Sequence, residues 1–87
     1  MKQENIDIIA NDVLKLFDIM IPESQINLIN KLTEIKGSKG SISDNINSCN
    51  DVELIELIKV IMKCKFNEDP KPYFTEIISI IKSETNK

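Results

Sequence analysis

Apolar residues return at intervals of three and four along nearly the whole chain, and this regularity constrains the fold more than any other feature. Ile6, Ile9, Val13, Leu16, Phe17 and Met20 fall on one face when each residue advances the helix by about 100°. They predict a first helix over residues 4–20. Pro22 suits the first turn of a second helix, where its missing N–H has no partner to lose, and Ile26, Leu28, Ile29, Leu32 and Ile35 share an arc of about 180°. That helix spans 22–36, with Gly37 where a terminating glycine belongs. Seventeen isoleucines would by propensity favour strands, but no segment keeps a two-residue alternation. The class expected is all-α.

Between Gly37 and Asn50 the periodicity breaks into Ser, Gly and Asn, whose side chains compete with backbone hydrogen bonds, so a long loop with room for one turn of helix is expected. Asn50 followed by Glu53 forms a capping-box pair that opens a third helix over 50–65. Nine apolar residues there cover about 220°, leaving Glu56, Lys59 and Lys63 as a narrow wet stripe. Such a helix reads as the buried centre of a bundle. Asp69 and Pro70 restart the chain, and Tyr73, Phe74, Ile77, Ile78, Ile80 and Ile81 mark a fourth helix over 70–84. The architecture expected is one domain over residues 1–87: a small four-helix bundle with a long loop between helices two and three.

Eighty-seven residues leave room for one core, and what is missing narrows the chemistry. There is no His, so neither a serine nor a cysteine nucleophile has an imidazole base, and no enzymatic role is expected. No metal is expected either: Cys49 and Cys64 are too few for zinc. A calcium loop threaded from Asn45 to Glu56 has amides for its opening acids and a thiol at its centre. Fifteen residues of mostly helix would hold the two cysteines about 20 Å apart, too far for a bridge. Cys64 falls toward the core and Cys49, at the loop end, is the freer thiol. The glycines of Lys36-Gly37-Ser38-Lys39-Gly40-Ser41 are too close together for a phosphate loop, and no strand precedes them. Acids at the start of the chain interrupt any signal-peptide core, and no apolar run is long enough to span a bilayer. A cytoplasmic protein with reduced thiols and no membrane contact is expected.

All the cations are Lys, the formal charge is −3, and the four Phe and Tyr residues fall at core spacing, which argues against direct nucleic-acid binding. The acidity suits a basic protein partner instead. Asp44, Asp51, Glu53 and Glu56 cluster around the junction that opens helix three. Ile8 and Ile19 project from the first helix near Asp12 and Lys15, away from its core arc, and form a reserve contact patch.

Two resemblances sharpen this. Ser41-Ile42-Ser43-Asp44, followed by Glu53-Leu54-Ile55-Glu56-Leu57-Ile58-Lys59, resembles the nuclease-colicin immunity proteins, in which a Ser-Ile-Ser-Asp run leads into an acidic amphipathic helix. The resemblance covers residues 41–59. It implies a small bacterial four-helix inhibitor that, like the inhibitors of contact-dependent toxins, neutralises a basic toxin or nuclease, and it implies no cofactor. Asn47-Ser48-Cys49-Asn50-Asp51-Val52-Glu53-Leu54 is similar to the Asp-Ser-Leu-x-x-Val-Glu-Leu segment of acyl and peptidyl carrier proteins. That resemblance implies the alternative, a carrier with phosphopantetheine on Ser48.

Overall fold

The computed structural model describes residues 1–85, which form five α-helices: α1 (Gln3–Ile19), α2 (Pro22–Lys36), α3 (Ile42–Asn47), α4 (Asp51–Ile61) and α5 (Lys71–Thr85). Among the described residues there is no strand beyond an isolated antiparallel bridge between Met20 and Phe66, and no helix is long and apolar enough to cross a membrane.

The expected loop between the second and third long helices, which had room for one turn of helix, contains the six-residue α3. Ser41 caps it by accepting the Asp44 N–H at 3.1 Å, and Ile46 plugs it into the core with no exposed surface. Ile42 packs against the core one turn before Ile46, and two apolar residues are too few to set bounds from periodicity. Gly37, at φ +82°, closes α2, and its N–H donates to the Thr33 carbonyl at 2.7 Å. That backbone conformation strains any residue with a Cβ.

The third long helix ends at Ile61, four residues before the expected 65. The chain is needed elsewhere. Lys65 accepts the Ile21 N–H and donates its own to Ser24 Oγ at 2.9 Å, while Asn67 donates to the Ile19 carbonyl at 2.9 Å. These bonds sew the α1–α2 connection to the α4–α5 connection and account for the burial of Ser24. The other ends shift by one residue, within ordinary fraying.

Helix directions follow from the pairs that join them. Lys36 meets Glu53 and Ser24 meets Lys65, so α2 and α4 are antiparallel. The amine of Met1 pairs with Asp51 at 2.7 Å and Ile19 lies beside Asn67, so α1 and α4 run parallel. Asn5 Nδ2 donates to Glu84 Oε1 and the Lys15 ammonium lies 6.0 Å from the centre of the Tyr73 ring, so α5 runs antiparallel to α1. One cluster takes Ile9, Val13 and Leu16 from α1, Leu28 and Leu32 from α2, Ile46 from α3, Leu54, Leu57 and Ile61 from α4, and Ile77 from α5.

The centre of the bundle is α1, which touches α3, α4 and α5, and not the helix over 50–65 as its wide apolar arc suggested. Val52 on α4 and Met62 just past its end belong to that arc yet face solvent. On α2, Ile26 and Ile29 are likewise exposed, and Ser24 takes a buried place.

Candidate interaction surface

The α3–α4 corner is built by two caps in sequence. Ser48 ends α3, donating its hydroxyl to the Asn45 carbonyl at 2.9 Å. Asn50 opens α4 in a reciprocal box: its side chain accepts the Glu53 N–H and its own N–H donates to Glu53 Oε1, both at 2.9 Å. The four acids expected to act together therefore have different occupations.

Glu53 is the most committed. It holds the cap and pairs with Lys36 at 2.9 Å, and these contacts hold its carboxyl below its ordinary value, the Asn50 N–H contributing most. Asp51 receives the Met1 amine while 44 % of its side chain remains exposed. Glu56 lies 3.9 Å from Lys31, a marginal pair, with 51 % of its side chain exposed. Asp44 stands exposed in the first turn of α3. Glu53 and Asp51 tie the fold together, whereas Asp44 and Glu56 present charge outward.

Val52, between Asp51 and Glu53 in the sequence, is at 67 % the most exposed large apolar side chain among the described residues. It lies one turn before Glu56 on the outer side of α4, with half-buried Ile55 next to both on that face. Helical periodicity assigned Val52 to the core arc. The signal that would have freed it is its place at the second position of the helix, where α4 has barely entered the bundle.

The reserve patch on α1 does not hold together. Ile8 is exposed, but Ile19 packs against the core and its carbonyl belongs to the backbone clasp. Eleven residues also separate the two by about 16 Å along the helix. Their expected polar neighbour is corrected as well: Asp12 is buried at 4 % exposure. Burial, and then the nearby Glu76 on α5, push its carboxyl above its ordinary value, while Lys15 at 3.7 Å opposes the shift. Asp12 Oδ2 has no hydrogen-bond partner among the described residues.

Cys64 packs against the core as expected, but Cys49 is not the freer thiol. Cys49 is buried, donating to the Asn45 carbonyl at 3.3 Å, while Cys64 is half-buried and donates to Val60 at 3.3 Å. Burial raises both above the ordinary thiol value and keeps them poor nucleophiles. Ser48, the attachment site in the carrier reading, stands exposed at the end of α3 rather than at the start of α4. Among the described residues, no group of three or more Cys, Asp or Glu side chains is arranged to hold a metal ion.

Comparison with protein-family models, curated proteins and solved structures finds no match to this chain.

Proposed function

We propose that this chain is a protein-binding inhibitor that neutralises a basic partner, a toxin or nuclease, through the outer face of α4 and the α3–α4 corner. The carrying observation is an exposed apolar side chain, Val52, one turn from the outward carboxylate of Glu56 on α4, with Asp44 exposed on the preceding α3, on a scaffold whose other acids of that corner are occupied internally. An apolar centre with a charged rim is the anatomy of a recognition surface: the apolar part holds the complex, and the charges steer a partner of opposite sign and speed its capture. The caps of α3 and α4 fix the corner before the partner arrives, so little ordering entropy is lost on binding. The encounter belongs, on this reading, in the cytoplasm, where both thiols stay reduced.

The test is gentle purification from the native host, followed by intact-mass measurement of the complex and kinetics with the partner so identified. The expected result is an unmodified chain bound one-to-one to a protein of net positive charge. Its association should slow steeply with salt and fall about tenfold in rate for Glu56→Lys, while Val52→Asp should speed dissociation. An acidic partner, or binding indifferent to both substitutions, would end the reading. Phosphopantetheine found on Ser48 would replace it with the carrier alternative.

A further inference from the structure

The outer side of α5 is built differently from the acidic corner. Lys71, Phe74, Thr75, Ile78, Ser79 and Lys82 line an open trough of about 470 Å³. Their spacing of three, four, seven, eight and eleven residues makes one continuous stripe through three turns of helix. Phe74 is fixed from behind, its ring edge-on to Phe66 at 5.8 Å. Ile77, Ile80 and Ile81 pack into or against the core, but Ile78 does not join that cluster, although it is half-buried. Its side chain lies along the trough.

The two ends of the stripe carry the same sign. Lys71 and Lys82 are exposed, and neither forms an ion pair among the described residues, in contrast to Lys15, Lys31 and Lys36. The surface is thus an apolar floor of Phe74 and Ile78, hydroxyls at Thr75 and Ser79, and an ammonium group at each end, about 16 Å apart along the axis.

We propose that this trough docks an acidic amphipathic helix of a partner protein, one that presents two carboxylates about three turns apart with an apolar pair between them. The charge pattern opposes a two-fold pairing of α5 with the α5 of a second copy of the chain. In an antiparallel pairing of two α5 helices, Lys71 of one copy lies against Lys82 of the other, and in a parallel pairing each lysine meets its equivalent. Either two-fold arrangement sets like charges opposite one another, which opposes association. An acidic helix satisfies both ends at once. The site takes ligands of the opposite charge to those of the α3–α4 corner, and it stands or falls independently of the function proposed above.

The test titrates the full chain, labelled with nitrogen-15, with a synthetic helical peptide of about 18 residues that carries two Glu at the separation of Lys71 and Lys82 and a Leu pair four apart between them. Saturable shifts should be confined to the amides of residues 71–82. Affinity should fall about tenfold for the double variant Lys71→Glu/Lys82→Glu, recover when the peptide's two Glu are changed to Lys, and be unaffected by Glu56→Gln. Both lysines are exposed, so the variants should keep the fold, and the charge-swap rescue separates docking from damage. Absence of saturable binding, shifts centred on α4, indifference to charge reversal, or self-association through α5 without peptide would each overturn the proposal.

Discussion

The α2–α4 seam and the α1–α5 seam are both antiparallel helix pairs, yet opposite chemistry joins them. Along α2 and α4 three polar pairs cross the seam: Lys36 with Glu53, Lys31 with Glu56, and the Ser24 hydroxyl with the N–H of Lys65 just past α4. Leu28 and Leu32 meet Leu54, Leu57 and Ile61 in the same core. Along α1 and α5 the interface buries a carboxylate with one oxygen unpartnered, and from α5 only Ile77 is fully buried. Charge at a helix seam stabilises only where the fold supplies its partner; otherwise desolvation wins. The first seam is a fixed frame. The second rests on one fully buried side chain of α5, Ile77, with Tyr73, Phe74, Ile80 and Ile81 half-buried against the core, and α5 bears the trough on its outer side.

The largest expected effect separates the two by equal truncations. Leu57→Ala and Ile77→Ala each empty a fully buried site, with an expected loss of about 2–4 kcal/mol. Their consequences should differ in extent. Leu57 lies at the meeting of α4 with the common core, so its loss lowers protection of all helices together in amide hydrogen exchange. Ile77 is the sole fully buried anchor of α5, so its truncation should release residues 71–85 first and leave α2 and α4 protected. Equal loss of protection everywhere in Ile77→Ala would show that α5 belongs to the frame.

A smaller effect, of opposite sign, comes from Asp12. Asp12→Asn removes a buried charge and adds a donor for its surroundings, and it should stabilise by about 1–2 kcal/mol at neutral pH. The gain must depend on pH. The carboxyl is raised in the folded state, by burial first and by Glu76 second, so the folded chain holds its proton more tightly than the unfolded one. Its favourable contribution is complete below the ordinary carboxylate value of 3.8 and is lost as pH rises through the raised folded value. Glu53, held below its ordinary value, works the other way: its contribution is present above that value and is lost as pH falls through the depressed one. Subtracting the wild-type stability curve from that of Asp12→Asn cancels Glu53 and leaves a difference that shrinks on acidification. A flat difference would mean that Asp12 is solvated after all.

These contrasts mark where the sequence was legible. Helix type and the cores of the four long helices were open to reading, because Ile9, Val13, Leu16, Leu54, Leu57 and Ile61 obey one period and periodicity needs no partner. The Asn50–Glu53 cap was legible for the same reason: both halves lie within four residues. What depends on a second segment was not. The early end of α4 is imposed by the Met20–Phe66 clasp, the burial of Asp12 by α5 folding across it, and the capture of Glu53 by Lys36. Asp51, Glu53 and Glu56 follow one another along α4, but the division of the acids between internal pairs and outward charge appears only when α2 is laid beside α4.

The smallest effect bears most directly on function. Glu56→Gln keeps the shape of the side chain and removes its charge, and the pair lost is an exposed one at 3.9 Å whose lysine also has Glu34 at 3.5 Å. Such a pair contributes about 0.5 kcal/mol or less, so thermal and denaturant unfolding should barely move. Glu53 offers no such separation, since changing it strips the α4 cap together with the Lys36 contact, at a cost of about 1 kcal/mol or more. A partner that binds Glu56→Gln more slowly, with stability unchanged, therefore reports on the outward charge itself. The same loss seen only with Glu53 substitutions would trace to a loosened helix start, and the acidic corner would then be a device of folding alone.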